Sequence, residues 1–312
     1  MKIIFFGSPD FAVPSLIGLE KNEEIDVELV VTQPPRKKGR GQKLSSTPVG
    51  QKAKELGLNL LEVPDINKEG IKEKLEAIGA DYFVVVAFGQ IFTQEVLDIP
   101  KKEPINLHAS LLPKYRGASP IHQAIINGDD KTGVTTMLIS RELDQGDMLL
   151  QEELVIADSY TVGKLHDKLA EIGADLLVET LMKMEKGMIE PEVQDDSLAN
   201  YAPQLNKQDG LINFNQSSRA VFDFIRGNNP WPGAYTFYQD KKLKVWNSEI
   251  VDIEDDSIPG KIISVDLNQG LIVATAKGAI NLSEVQLPGS KRMSARDFIC
   301  GYQPEVGEIL GK

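Results

Sequence analysis

The sequence predicts an α/β protein: a doubly wound, mostly parallel sheet, followed by a smaller C-terminal β-barrel domain. Three observations predict it. Short apolar, β-branched runs alternate with amphipathic helical windows from the N-terminus to about residue 187. Between about 190 and 208 the periodicity fades, with two prolines and an acidic pair, which marks a linker. From about 209 short strands with turn signals replace the helix–strand alternation.

The elements follow in chain order. Residues 2–7 form an unbroken apolar run ending in Gly7, the pattern of a strand buried on both faces. A helix is expected from Pro9 and a second strand over 27–32. Residues 81–88 (Asp-Tyr-Phe-Val-Val-Val-Ala-Phe) are β-branched and aromatic and give the clearest strand. Shorter strands are expected at 105–108 and 135–139, with helices at about 47–56, 68–78 and 120–127. Leu165, Leu169, Ile172, Leu176, Leu181 and Met184 lie near one face of a helix, with Asp158-Ser159 as caps and Gly187 as a stop. His166 on that helix reads as a surface or packing histidine. In the C-terminal part, strands are expected at 234–239, 242–251, 260–265, 271–275 and 279–285, the last two joined by a hairpin turn at Ala276-Lys-Gly278. The resulting division is 1–189, a linker at 190–208, and 209–312 as a small barrel.

Composition narrows the function. With 312 residues the chain can build two cores. The one cysteine, Cys300, excludes a disulfide framework and a multi-cysteine metal site and suits a reducing, cytoplasmic setting. Three histidines (His108, His122, His166) make a histidine-rich metal centre unexpected, so no metal is predicted. The N-terminal apolar run breaks at Gly7-Ser-Pro-Asp10, too short for a signal peptide, and no stretch could span a bilayer. A net charge of −12 opposes non-specific nucleic-acid binding, which makes any local basic cluster more informative. The turn after the first strand lacks G-x-G-x-x-G, and neither a Walker A sequence nor a G-x-S-x-G elbow occurs, which disfavours hydride transfer, phosphoryl transfer and serine-hydrolase chemistry.

Three segments carry candidate chemistry, each with a plain structural alternative. Asn106 and His108 are two apart at a strand end, so an amide and an imidazole project together where open α/β sheets place reactive groups. The alternative is a capped strand end with a satisfied histidine. Glu142-Leu-Asp-Gln-Gly-Asp147 follows the 135–139 strand, and Asp144 can orient an imidazole from a neighbouring strand end or serve as a turn residue. Arg36, Lys37, Lys38, Arg40 and Lys43 lie in a stretch with no acidic residue from Leu29 to Lys54, suited to phosphate contacts or equally to a solvated charged loop.

Together, Gly-Ser-Pro-Asp-Phe-Ala-Val-Pro14, Thr-Gln-Pro-Pro-Arg with Gly-Arg-Gly-Gln-Lys43, Val-Val-Ala-Phe-Gly-Gln90, Asn-Leu-His-Ala-Ser-Leu-Leu-Pro-Lys-Tyr-Arg-Gly117, Glu-Leu-Asp-Gln-Gly-Asp147 and Asn-Pro-Trp-Pro-Gly233 resemble the methionyl-tRNA formyltransferases over nearly the whole chain. That resemblance implies a Rossmann-like formyltransferase fold with an OB-like C-terminal domain. It implies transfer of a formyl group from 10-formyltetrahydrofolate to the α-amino group of methionyl initiator tRNA, with no metal, no membrane and no obligate protein partner. Asn106 and His108 would supply donors to the developing oxyanion. Asp144 would hold His108 in position and help shuttle protons through a water. Ser110, Leu111, Leu112 and Pro113 resemble the folate-contacting loop, with Phe88, Gly89, Gln90 and Ile91 flanking the pterin. The basic residues 36–43 resemble the loop that meets the acceptor end of the tRNA. In the C-terminal domain Lys241, Lys242, Lys244, Lys291 and Arg292 would track phosphates. The rival readings are formylation of a small amine, release of formate by hydrolysis, and a non-catalytic RNA-binding module.

Overall fold

The computed structural model describes residues 1–38, 43–253 and 256–311. The chain divides into two compact units. The first comprises Met1–Gly117, Thr132–Leu154 and His166–Tyr201, and the second Ala118–Lys131, Val155–Leu165 and Ala202–Lys312.

In the first unit β1 (Lys2–Gly7), β2 (Asp26–Thr32), β5 (Leu60–Glu62), β6 (Tyr82–Val86), β7 (Pro104–His108), β9 (Lys131–Leu138) and β10 (Met148–Val155) form one sheet in the order β10-β9-β7-β6-β1-β2-β5. A separate two-stranded ribbon pairs β3 (Arg36–Lys38) with β4 (Lys43–Ser45), and β8 (Arg116–Gly117) lies off the main sheet. The pairs β1–β2, β1–β6, β2–β5 and β6–β7 are parallel, whereas β7–β9 is antiparallel. The strand order reverses direction around β1 and β6, the arrangement that opens a crevice at the carboxyl ends of parallel strands.

Local sequence explains the elements. β6 is buried along its whole length, as its Tyr-Phe-Val-Val-Val run requires. The helix α1 (Val13–Lys21) starts with proline in its first turn, and α2 (Pro48–Leu56) is capped by the Thr47 side chain accepting from Gly50 N–H at 3.0 Å. Helix α3 (Glu69–Ile78) ends on Gly79 in the left-handed region, followed by the short α4 (Gln94–Leu97), α5 (Pro120–Ile126) and the long α6 (Val162–Glu185). Phe6, Phe83, Phe88 and Phe92 close one core of the sheet, with Phe6 4.9 Å from Phe83 and edge-on to Phe92 at 5.3 Å. Burying each such ring stabilises by roughly 1.5–3 kcal/mol. His166 sits between Asp167 (3.0 Å) and Asp10 (3.7 Å) with its ring edge on Phe11, a surface packing role.

At the start of the sheet the Lys2 N–H donates to Asp81 Oδ2 at 2.8 Å. That hydrogen bond, and after it the charges of Lys101 and Lys102, hold the Asp81 carboxyl below its ordinary value. A depressed folded value contributes stability above the unfolded pKa of ~3.9, and the contribution is lost as pH falls through the folded value. Acid unfolding followed by circular dichroism is therefore expected to be shallower in Asp81→Asn than in the wild type below about pH 5. Identical slopes would refute it.

The second unit contains an antiparallel sheet built from β12 (Tyr235–Tyr238), β13 (Lys241–Val251), β14 (Ile262–Asp266), β15 (Gly270–Ala274) and β16 (Ala279–Gln286), with the short β17 (Met293–Ser294) added on β16. Before these strands in the chain comes the short β11 (Tyr201–Ala202), at the boundary of the two units. The order β12-β13-β16-β15-β14 leaves two edges, and the C-terminal segment joins both. Glu308 O accepts from Ile262 N–H at 2.8 Å on one side, and Gly311 N–H donates to Phe237 O at 2.9 Å on the other. Two helices absent from the sequence expectation pack here: α7 (Ser218–Gly227) and α8 (Ala295–Tyr302). Both have a serine N-cap, Ser217 accepting from Ala220 N–H at 3.2 Å and Ser294 from Asp297 N–H at 3.1 Å.

Candidate active site

Strand β7 presents two faces. Ile105 and Leu107 are buried, and Leu107 lies against Gly173 of α6, where a Cβ would stand 2.8 Å from Leu107 Cδ2. Asn106 and His108 point the other way, as their spacing requires. Asn106 is half-buried, and its amide makes no hydrogen bond to the protein among the described residues.

His108 is buried, and both of its ring nitrogens face oxygen. Nε2 lies 2.9 Å from the Tyr115 carbonyl, and Nδ1 lies 3.7 Å from Asp144 Oδ2. The first is a hydrogen bond, and the second is an ion-pair separation too long for one. Both nitrogens can donate at once only in the doubly protonated ring. Asp144 reaches this position from the loop after β9. Its Oδ2 accepts from Gly117 N–H at 2.8 Å, and it adopts φ +55°. Gly146 lets the loop fold back, since a Cβ there would stand 1.9 Å from the Leu138 carbonyl.

The loop after His108 is braced by its own sheet. Ser110 Oγ donates to Lys114 O at 2.6 Å, and Thr135 Oγ1 donates to Ser110 O at 2.7 Å while accepting from Leu112 N–H at 3.1 Å. Gln151 Nε2 donates to Leu112 O and to Thr135 Oγ1, both at 2.9 Å. Leu112 is buried, Leu111 and Pro113 are half-buried, and the Leu112–Pro113 peptide is cis.

In the 88–91 segment the side chains divide between interior and surface. The Phe88 ring belongs to the core, 5.6 Å from Phe6 and 5.7 Å from Phe92. Gln90 is committed to backbone, accepting from Ile66 N–H at 2.8 Å and donating to Val63 O at 3.1 Å. Gly89 has φ +77°, and Gln33 Nε2 stands 2.8 Å from where its Cβ would be. Ile91 is 76% exposed and offers an apolar surface. Gln33 also donates to the Phe88 carbonyl at 2.8 Å and accepts from Arg36, so one side chain ties the base of the basic ribbon to this segment.

Within the ribbon, Arg36, Lys37 and Lys38 pair with Ser45, Leu44 and Lys43, and the Arg36 and Lys37 side chains are exposed. Arg40 lies outside the described residues. The loop expected from sequence thus begins and ends as paired strand. In the second unit, Lys242 Nζ stands 3.3 Å above the Tyr235 ring, and the Arg292 guanidinium and Lys244 Nζ lie 3.5 and 5.0 Å from Trp246. Desolvation first, then the neighbouring charges of Lys244 and Lys207, lowers the Lys242 pKa. Among the described residues no cluster of three or more His, Cys, Asp or Glu side chains could hold a metal ion, and no helix is long and apolar enough to cross a membrane.

Sequence reasoning brought Asn106, His108, Asp144 and the 110–113 loop forward. It gave no role to Thr135, Gln151 and Gln194, whose contacts form between segments far apart in the chain, and none to Tyr115 and Gln33, which lie inside the quoted motifs.

Comparisons with known proteins show the family and the fold. The formyl transferase family model matches residues 1–181, and the formyl transferase C-terminal domain model matches 204–303. A methionyl-tRNA formyltransferase of Ruminiclostridium cellulolyticum is 46% identical, with all of both chains covered, and one of Clostridium novyi is 47% identical over 99% of this chain and 100% of its own. Among solved structures, an N-formyltransferase from Helicobacter canadensis bound to folinic acid and dTDP-3-aminofucose matches with a TM-score of 0.67 and 20% identity, covering 90% of this chain and 98% of its own. The sugar 3N-formyltransferase WlaRD gives the same score at 19% identity, covering 93% and 99%. At that identity the two structures establish the shared fold, and the near-half identity over full length establishes more: the chain belongs to the methionyl-tRNA formyltransferases.

Proposed function

We propose that this formyltransferase takes its formyl group from 10-formyltetrahydrofolate and passes it to the α-amino group of methionyl initiator tRNA in the cytoplasm, with Asn106, His108 and Asp144 as the catalytic set. The observation that carries the reading is the Asn106 amide, without a hydrogen-bond partner among the described residues, beside a histidine whose two ring nitrogens both face oxygen. The reaction forms a bond between the amine nitrogen and the formyl carbon and breaks the bond from that carbon to the folate nitrogen N10. The amine gives up one proton, and N10 takes one up. Negative charge develops on the formyl oxygen, where Asn106 Nδ2 and His108 Nδ1 donate to it, Nε2 being held by the Tyr115 carbonyl; one such donor is commonly worth on the order of 100-fold or more in rate. Asp144 faces His108 Nδ1 and accepts a proton through water, because only one of its oxygens is engaged by Gly117. No covalent enzyme intermediate is needed, since the amine is itself the nucleophile.

The residues fit a folate. A flat heterocycle is held by apolar walls and a few fixed polar groups, and exposed Ile91, the braced backbone of 110–113 and the rigid 88–90 turn supply both. Phe88 and Gln90 act here by shaping the backbone, because their side chains are already committed. The exposed Arg36 and Lys37, with Lys38, Arg40 and Lys43 close to them in the sequence, suit the phosphates of an acceptor stem in an otherwise acidic protein.

Replacing Arg36 and Lys37 together by alanine is expected to weaken charged-tRNA binding and raise its KM, and to reduce the slope of log K against log salt by about one to two. Folate affinity should stay unchanged. Unaltered tRNA affinity and salt slope would remove the ribbon from the acceptor site.

A further inference from the structure

His108 is flanked by two residues in the left-handed region, and neither is glycine. Tyr115, whose carbonyl receives Nε2–H, has φ +60°, and Asp144, whose carboxylate faces Nδ1, has φ +55°. A bulky residue rarely adopts this conformation, and it persists only where its surroundings hold it.

Both flanks are held from one stretch, 194–200, which lies in the segment the sequence presents as a linker. Gln194 is buried, and every polar group of its side chain is used. Nε2 donates to the Asp144 carbonyl at 2.9 Å and to the Gly146 carbonyl at 2.7 Å, while Oε1 accepts from Arg116 Nε at 2.9 Å. Arg116 is fastened in turn to Asp196 at 2.8 Å. On the other flank Asn200 Oδ1 accepts from the Tyr115 N–H, and the Asn200 carbonyl accepts from the Arg116 N–H at 3.0 Å. The stretch is anchored just before by reciprocal backbone bonds between Met148 and Glu192, at 2.8 and 2.9 Å.

We infer that Gln194 and Asn200 are positioning residues for His108, Gln194 acting through the Asp144 loop and Asn200 through Tyr115. The inference rests on the reading of His108 and Asp144 as catalytic. Neither clamp residue hydrogen-bonds His108, so each sets where an acceptor of the ring stands. A displacement of about 1 Å in such a group can cost on the order of 100-fold in rate.

The test compares Gln194→Ala, Gln194→Glu, Asn200→Ala and Asn200→Asp with His108→Ala, in the full-length enzyme. Steady-state transfer gives kcat and KM for both substrates, and histidine-selective 15N spectra of the free enzyme report the rings directly, since the chain has three histidines. The two alanine variants are expected to lose roughly 100-fold in kcat with KM little changed. Asn200→Asp keeps the acceptor for Tyr115 N–H and should recover most of the loss. Gln194→Glu replaces the donor facing two carbonyls with oxygen and should not recover. The His108 signals should move in the alanine variants while those of His122 and His166 stay. Unchanged kcat with unmoved His108 signals overturns the inference, as does equal loss in Asn200→Asp or a joint shift of all three histidines. Retained turnover in His108→Ala would instead sink the catalytic reading, and the spectra alone then decide whether the clamp holds the ring.

Discussion

His108→Ala is expected to lower kcat for formyl transfer by about 100- to 10,000-fold while leaving folate affinity close to that of the wild type. The ring lies at the end of β7 with Nε2 bonded to the Tyr115 carbonyl and Nδ1 facing Asp144 at 3.7 Å, and its neighbour Asn106 has an amide with no competing partner among the described residues. Removing the imidazole deletes a donor to the developing oxyanion and the group through which Asp144 acts. Asn106→Ala should cost on the order of 100-fold by itself. Because the two donors serve one charge, the double variant should fall short of the product of the single losses. Single-turnover rates separate this loss from product release. A rate within about threefold of wild type in His108→Ala would mean that transfer does not run through this ring.

Asp223→Ala is expected to destabilise the second unit by about 3–5 kcal/mol. Asp223 on α7 is 1% exposed and accepts from Arg219 Nε and Arg226 Nε, both at 2.7 Å. Arg226 is itself buried and donates to the Ala157 and Tyr160 carbonyls at 3.1 and 3.2 Å, and its Nη2 has no hydrogen-bond partner among the described residues. Deleting the carboxylate removes the hydrogen-bonded counter-charge of a guanidinium in a low-dielectric site and leaves it only the exposed Asp158 carboxylate, 4.0 Å from Nη2, and that is where a broken buried pair costs most. Arg219 also grips Asp158 through two hydrogen bonds at 2.6 and 3.0 Å and holds that carboxyl below its ordinary value, so it keeps a partner and the damage centres on Arg226. For a unit of about 140 residues such a loss lowers Tm by about 10 °C or more. Calorimetry should show the C-terminal transition moving down. An unchanged transition would mean that the buried pair is not needed for stability.

The sheet was legible wherever burial imposed a pattern. Residues 2–7, 27–32 and 82–86 read as strands because parallel strands covered on both faces must be continuously apolar. β10 was not, because Gln151, Glu152 and Glu153 on it are exposed and erase the signature. Helix α8 carried a readable signal in Ser294-Ala-Arg-Asp297, whose cap and third residue bond each other at 2.8 Å, yet it is only eight residues long and follows a run of strands. The basic ribbon was read as loop because its glycines and prolines hide two three-residue strands. At the site, Asn106 and His108 were visible because one strand carries both. Gln194 and Asn200 were not, since their roles exist only once chain segments about 50 and 85 residues away come to meet them.

The most direct measurement is transfer of a labelled formyl group from 10-formyltetrahydrofolate, with methionyl initiator tRNA and a small primary amine offered in parallel to the wild-type enzyme and to His108→Ala. The proposed function predicts label on the methionyl α-amino group, little on the small amine, and near-complete loss in His108→Ala. Label on the small amine alone, or free formate with neither acceptor formylated, would contradict it.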